Sequence, residues 1–137
     1  MRAVEHDGKE YLLIKRSSDS SLVRDPETGT ERYLPNDELT VSGDSPLAIA
    51  ARSVAEPQRR IVTAVHSERL LGLLVELDTD GPLSVRELLD RYDLCESDLH
   101  GHVSELRAAG LVREAERFGE RGYATTELAR EGLDALR

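Results

Sequence analysis

The sequence predicts an α+β fold: an N-terminal three-stranded antiparallel β-meander, then helices, then a C-terminal helical domain that includes a β-hairpin. Two observations predict it. Short apolar runs alternate with turn formers over residues 10–34, and apolar residues recur at helical spacing over most of residues 46–136. With 137 residues the chain is long enough for one well-cored domain with a small appendage, and we expect a single cooperative unit.

The meander is expected to have strands at residues 11–14, 21–24 and 31–34. In the turn between the last two strands, the ring of Pro26 fixes its φ at about −65°, and Gly29 can adopt the left-handed conformation. So small a sheet cannot bury a core of its own. We therefore treat residues 1–44 as a β-meander appendage that packs on the rest of the chain or on a second subunit.

Residues 45–66 read as linking or dimerisation helices. Ser45 and Pro46 are typical of a helix start, because Ser caps the helix and Pro suits its first position. Pro57 predicts a break near residues 55–56, since it lacks an amide donor and pushes the preceding residue out of the helical region. The pattern leaves open whether the segment is two helices or one kinked helix.

Residues 67–137 carry the most specific pattern. A leucine-rich helix at residues 70–77 is followed by a short helix whose Ser84 and Glu87 have the spacing of a capping box. After a tight turn at residues 93–95, a third helix ends at Gly110. Gly119 and Gly122 are expected to bracket the tip of a β-hairpin, and Thr126 to cap a last helix.

The phrase SELRAAGLV at residues 104–112 resembles the end of the recognition helix in ArsR-like and MarR-like winged helix-turn-helix transcriptional regulators. The later pattern of Tyr123, Thr126 and the run LAREGL at residues 128–133 also resembles that family. The resemblance covers about half of the chain and leaves residues 1–44 without an explanation. It implies a winged helix-turn-helix domain over residues 67–137 that binds double-stranded DNA as a homodimer and regulates transcription.

In that family the third helix enters the major groove and the hairpin, or wing, touches phosphate or the minor groove. Carried over by position, the groove-facing residues are Ser97, Asp98, His100, Gly101 and Ser104. The arginines that would serve the same surface are Arg107, Arg113, Arg117 and Arg121. This helix departs from the family pattern because it begins with Glu96 and Asp98, which would repel phosphate. A continuous positive strip along the four arginines would favour DNA, and a wholly negative surface would favour a protein partner.

The composition is acidic, with a net charge of −9 and only two lysines, Lys9 and Lys15, beside 16 arginines. Such a balance is unlike the basic footprint of most nucleic-acid binders. It resembles the haloarchaeal type of acidic composition, which keeps proteins of extreme halophiles soluble in concentrated salt. In that setting counterion release contributes little to DNA affinity, and base contacts, bound cations, water bridges and the few arginines must supply it.

Several function classes are disfavoured. One cysteine, Cys95, excludes an internal disulfide, and the absence of a long apolar run or signal-peptide core predicts a cytoplasmic protein. Cys95, Asp98 and His102 are close to helical spacing, but three candidates are few for a metal site and a thiol in a turn more often fills a core gap. No motif indicates an enzyme or a cofactor. The alternative to a regulator is a winged helix that binds a protein partner, through its acidic third helix or through the β-meander, without direct DNA contact.

Overall fold

The computed structural model describes all residues, 1–137, and the chain divides after Ala55 into two units. Unit 1 is Met1–Ala55 and unit 2 is Glu56–Arg137. The segment 45–66, expected to link two domains, is therefore shared between the units. Its role in dimerisation stays a prediction.

Unit 1 is a five-stranded antiparallel sheet followed by a short helix. The strands are β1 (Arg2–His6), β2 (Lys9–Arg16), β3 (Ser20–Arg24), β4 (Glu31–Pro35) and β5 (Thr40–Val41), in the spatial order β4-β3-β2-β1-β5. Because successive side chains of a strand alternate between faces, the sheet carries two small apolar clusters. One contains Val4, Tyr11, Val23 and Leu34, and the other contains Ala3, Leu12 and Ile49 of the helix α1 (Pro46–Ala50).

The N-terminal antiparallel sheet is confirmed, but the expectation of three strands is wrong. The three predicted strands lie within β2, β3 and β4, and β1 and β5 extend the sheet beyond β2. Asp7 and Gly8 join β1 to β2, both with positive φ, at 51° and 78°. An Asp-Gly pair between two apolar runs is a strong hairpin signal, so β1 was predictable. β5 has only two residues and gives no pattern of its own.

The turn and helix signals around this sheet are confirmed. Gly29 has φ of 76°, and its N–H donates to the Asp25 carbonyl over 2.8 Å. Ser45 caps α1 by accepting a hydrogen bond from the Ala48 N–H. After a 3₁₀ turn at Ala51–Ser53, Val54 is extended and a second helix begins at Glu56, so the segment forms two separate helices.

Unit 2 contains five helices and a three-stranded sheet. Its elements are α2 (Glu56–Ala64), α3 (Glu68–Asp80), β6 (Leu83–Ser84), α4 (Val85–Arg91), α5 (Glu96–Ala108), β7 (Val112–Arg117), β8 (Glu120–Thr125) and α6 (Glu127–Leu136). The sheet order is β6-β8-β7. Ser84 and Glu87 form the predicted capping box, and Thr126 caps α6 by accepting from the Ala129 N–H.

One apolar core of fifteen buried residues holds unit 2 together. Four leucines of α3 form its centre: Leu70, Leu73, Leu74 and Leu77. Each later element adds to this core, including Leu88 of α4 and Leu133 of α6. None of the helices in the chain is both long and apolar enough to cross a membrane.

Two glycines show where backbones approach closely in unit 2. A Cβ on Gly132 of α6 would lie 2.5 Å from Ile61 Cδ1 and 2.6 Å from the Pro57 carbonyl oxygen, so α2 and α6 need a glycine there. Gly122 was expected at the hairpin tip, and this is wrong. It lies within β8 against the backbone of Leu83, where a Cβ would collide. The tip is Phe118-Gly119, both with positive φ.

Candidate nucleic-acid interface

Helix α5 presents the residues that the sequence singled out, and its ends are fixed by local chemistry. It begins after Cys95, and Glu96 and Asp98 lie in its first turn, where negative charge stabilises the positive end of the helix dipole. At the other end Gly110 has φ of 75°, and Arg60 Nη1 donates to the Ala109 carbonyl over 2.9 Å. The acidic first turn therefore has a structural role, and α2 contributes an arginine cap that no sequence pattern indicates.

The buried side of α5 is Leu99, Val103 and Leu106. On the opposite side Ser97, Gly101 and Ser104 follow one another at i, i+4 and i+7, and we call this line the outer face of α5. His100 and Arg107 flank it on one side and Asp98 on the other. All six predicted residues of α5 are exposed.

A groove of about 470 Å³ lies between the first half of α5, the start of α4 and β8. Three of the predicted residues, Ser97, His100 and Arg121, line it together. Tyr123, which was not among the predicted site residues, lies in the same groove, and its hydroxyl is 3.4 Å from Arg121 Nη2. The hairpin thus brings a guanidinium and a phenol beside the outer face of α5.

Arg107 and Arg121 converge on one carboxylate. Their Nη atoms lie 3.2 and 3.1 Å from the same oxygen of Glu114, at the start of the hairpin, and all three side chains are about half exposed or more. Two cations around one anion leave a local charge of +1. The structure therefore joins two of the four predicted arginines into one positive cluster next to α5.

The other two arginines lie on the opposite face of the hairpin. Pairing of Glu114 with Tyr123 and of Arg117 with Glu120 puts Arg113 and Arg117 on one face and Glu114 and Arg121 on the other. Arg117 Nε is 3.0 Å from Glu87 Oε1, and the Arg113 guanidinium is 3.4 Å from the Glu114 carbonyl oxygen. The four arginines do not form one continuous strip, and the surface is not wholly negative.

Glu87 holds Arg117 and also closes the capping box of α4. The Ser84 backbone N–H donates to its carboxylate over 3.1 Å, and this bond, helped by the nearby charges of Arg117 and Arg91, lowers the pKa of Glu87. The carboxylate is thus kept ionised as an anchor for Arg117. The base of the hairpin tip is tied to α4 in this way.

Phe118 is the most unusual side chain of the hairpin. It is the only phenylalanine in the chain, it is 88% exposed, and its φ is 52°. Left-handed backbone is costly for a bulky side chain, and an exposed phenyl ring gains nothing from burial. The Arg117 guanidinium lies 4.8 Å from the ring centroid. No sequence pattern marked this residue, although a Phe-Gly pair at a hairpin tip departs from the usual Asn-Gly or Asp-Gly.

Cys95, Asp98 and His102 all line a second cavity, between α3 and α5, but no three His, Cys, Asp or Glu side chains of the chain are placed to hold a metal ion. Cys95 was expected to fill a core gap, and this is wrong. It occupies the position before the first turn of α5, is exposed, and has its Sγ 3.3 Å from Ser97 Oγ. The turn residue that packs against the core of unit 2 is instead Leu94, which is partly buried.

Fold and site together define an α+β protein with an antiparallel sheet unit and a helical unit that presents an exposed polar helix beside a β-hairpin. The chain belongs to the family of unknown function DUF7346, whose family model matches residues 1–137. No curated protein and no solved structure matches it.

Proposed function

We propose that unit 2 is a winged helix-turn-helix domain that binds double-stranded DNA and regulates transcription. In this proposal α5 is the recognition helix and the β7–β8 hairpin is the wing. The observation that carries it is the chemistry of the outer face of α5. Its residues are small and polar, and they are flanked by His100 and Arg107, side chains that can bond base edges or phosphates.

The same face is poorly suited to a protein partner. Protein interfaces have an apolar or aromatic centre, and the exposed large apolar residues of unit 2 are Val62, Leu71, Phe118 and Leu136, none of them on α5. Gly101 points to close approach as well. A glycine inside a helix costs about 1 kcal/mol relative to alanine, and a Cβ at Gly101 would meet no atom within 4 Å. Nothing in the chain itself requires that glycine.

The paired arginines fit a DNA surface that must work in concentrated salt. Exposed ion pairs are worth about 0–1 kcal/mol, so a phosphate can replace Glu114 beside Arg107 or Arg121 at small cost. In a high-salt cytoplasm the counterion-release term is weak, and contacts from Ser97, His100 and Ser104 would supply a larger share of the affinity.

A homodimer would place two α5 helices on half-sites about 34–36 Å apart. Helices α2 and α6 are the elements proposed to pair. They pack on each other through Gly132, and each has an exposed apolar side chain, Val62 on α2 and Leu136 on α6.

The test uses two sources of double-stranded DNA: the region upstream of the protein's own coding sequence, and a random pool from which bound sequences are selected. Binding to the retained sequences is then measured by fluorescence anisotropy across a KCl series. We expect Arg121→Ala to weaken binding and to reduce the salt slope by about 1. Glu114→Gln should strengthen binding, because it releases both arginines. Arg16→Ala and Glu31→Gln, which make the same charge changes at exposed positions of unit 1, are the controls. No retained sequence at any salt concentration would overturn the proposal.

The second candidate is a winged helix that binds a protein. The observation that favours it is Phe118, an exposed apolar ring at the hairpin tip with carboxylates nearby at Glu116 and Glu120. This candidate would replace the first if the wild-type protein retains no DNA while a partner co-purifies with it and is lost from Phe118→Asn.

A further inference from the structure

A cavity of about 670 Å³ lies in unit 2, away from the outer face of α5. It is formed by α3, the turn at residues 92–95 and the first half of α5, and we call it the α3–α5 cavity. Its apolar lining residues are Leu73, Leu94 and the ring of Tyr92. A cavity of this size with an apolar floor and a few polar groups has the character of a small-molecule site.

Gly72 is a helix glycine on the cavity wall that no contact within the chain requires, which indicates that the space beside it is open to a ligand. It lies inside α3, on the wall of this cavity, and a Cβ built on it would meet no atom within 4 Å. Gly132 shows what packing within the chain requires of a helix glycine, because its Cβ would collide with α2. Gly72 meets no such neighbour, yet the helix bears the cost of a glycine. Its effect is to keep the wall of the α3–α5 cavity open.

The polar groups of the cavity are mostly acidic. Glu76, Asp93 and Asp98 line it, against Arg69 and the imidazole of His102. Arg69 Nη2 is already used, since it donates to the Asp93 carbonyl over 3.2 Å. Tyr92 donates its hydroxyl to Glu76 Oε1 over 2.9 Å, which fixes that carboxylate at the cavity wall. Burial and this bond raise the pKa of Tyr92, so its hydroxyl remains a donor.

From the open wall at Gly72, the apolar floor and the excess of carboxylates, we propose that the α3–α5 cavity binds a small organic cation, an amine carried on an apolar body. The apolar body lies on Leu73 and Leu94. The ammonium group lies between Glu76 on α3 and Asp98 on α5. A carboxylic acid of the same shape binds more weakly, because it would meet like charge at Glu76 and Asp98.

The proposed function gives this site a regulatory consequence, which rests on that function. Asp98 flanks the outer face of α5 and repels phosphate when it is ionised. A bound ammonium offsets that charge and also connects α3 to α5. Occupancy therefore raises the affinity of α5 for DNA.

The experiment uses three probes that share one apolar body and differ in charge: 3-phenylpropylamine, 3-phenylpropan-1-ol and 3-phenylpropionate. Each is titrated into the full-length protein while backbone amide resonances are followed by NMR. We expect the amine to shift the amides of Gly72, Leu94 and His102, the alcohol to bind more weakly, and the carboxylate to bind weakest. Equal or tighter binding of the carboxylate, or no shifts in the cavity with any probe, would overturn the proposal.

Two variants test the site itself. Gly72→Met fills the cavity from a helix position with free space around it, and should abolish the shifts while the rest of the spectrum is kept. Glu76→Gln keeps an acceptor for the Tyr92 hydroxyl and removes one charge, and should weaken amine binding about three-fold without affecting the alcohol. Glu131→Gln on α6 is the matched control. Unchanged amine binding in both cavity variants would contradict the assignment.

DNA anisotropy with and without 3-phenylpropylamine separates this inference from the proposed function. A rise in DNA affinity in the wild type that is lost in Gly72→Met supports the regulatory coupling, and its absence from a protein that binds both amine and DNA overturns that coupling. If the protein binds the amine in the cavity but no DNA, the proposed function fails and the ligand site stands.

Discussion

The two units are stabilised in different ways. Unit 1 divides its apolar residues between two faces of one sheet, with four buried residues in one cluster and three in the other, and side-chain hydrogen bonds fasten its loops. Asn36 accepts from Ser21 Oγ over 2.5 Å and donates to the Ser17 carbonyl over 2.8 Å. Unit 2 has one core of fifteen residues. A unit with a large core can leave a polar helix face and a strained turn at its surface, and unit 2 does both.

The largest expected effect is a cavity in the larger core. Leu74 of α3 is fully buried, and Leu74→Ala should lower the free energy of unfolding by about 4 kcal/mol, because it removes contacts at the centre of a close-packed core. Leu12→Ala in unit 1 should cost about 2 kcal/mol, since the three-residue cluster around it can collapse more easily. Native-state hydrogen exchange, followed by NMR, reports each unit separately.

Leu74→Ala should reduce amide protection in unit 2 and leave most protection in unit 1. Equal loss of protection in both units would show that they unfold as the single cooperative unit expected from the chain length, and would break the comparison.

Alanine substitutions at three helix glycines of unit 2 give a second test, because they should change the free energy of unfolding in opposite directions. Gly132→Ala should destabilise the protein by about 2 kcal/mol, because the added methyl group must separate α2 from α6. Gly72→Ala and Gly101→Ala meet open space and should each stabilise by about 0.5–1 kcal/mol. Urea unfolding of the three variants measures this. Stabilisation by Gly132→Ala would mean that the two helices are not in close contact.

Local signals explain how much of this structure was predictable from sequence. The capping box at Ser84 and Glu87, the glycine cap at Gly110 and the break before Pro57 depend on neighbouring residues only, and all are confirmed. Fold features that depend on distant partners were not predictable. β5 is two residues long and exists through pairing with β1, and Gly122 is explained by the backbone of Leu83, almost forty positions earlier.

The candidate site follows the same division. Helical periodicity placed Ser97, Gly101 and Ser104 on one exposed face. The meeting of Arg107 and Arg121 at Glu114 requires both α5 and the register of the hairpin, and sequence spacing alone cannot supply it. Phe118 could have been noticed as an aromatic residue next to glycine, but its left-handed conformation and its exposure are properties of the folded hairpin.

The hairpin tip tests whether unit 2 sacrifices local stability for its surface function. Phe118→Asn should stabilise the protein by about 1 kcal/mol, because asparagine tolerates the left-handed conformation better than phenylalanine. In the proposed function it should also weaken DNA binding, since an apolar ring at the wing can wedge into the minor groove. Thermal unfolding and fluorescence anisotropy are measured on the same samples.

Phe118→Ala is the control, because it removes the ring without favouring the turn. It should weaken DNA binding as Phe118→Asn does, and it should not stabilise the hairpin. If Phe118→Asn lowers the free energy of unfolding, the ring has a packing role. The hypothesis that the hairpin tip loses stability in exchange for DNA binding then fails.

The smallest expected effect concerns the polar contacts of unit 1. The hydrogen bond from Lys9 Nζ, 2.6 Å from Asp25 Oδ2, lowers the pKa of Asp25. The stability that this carboxylate contributes is therefore fully present above its unfolded pKa of about 3.9, and is lost as the pH falls through the lower folded value. Lys9 is exposed, so solvent screens the pair and the loss is small.

Asp25→Asn keeps an acceptor for the Glu27 N–H but removes the charge, and should make the fall in stability between pH 5 and pH 2, about the range set by that pKa, shallower than in the wild type. Urea unfolding at several pH values measures the slope, and Asp37→Asn makes the same charge change at an exposed position elsewhere in unit 1. Glu10, whose pKa is lowered first by the hydrogen bond that Ser42 Oγ donates to it and also by Arg52, remains in the variant, so part of the slope persists. A slope as steep in Asp25→Asn as in Asp37→Asn would show that the Lys9 pair does not help to hold unit 1, and would leave its two apolar clusters as the main source of its stability.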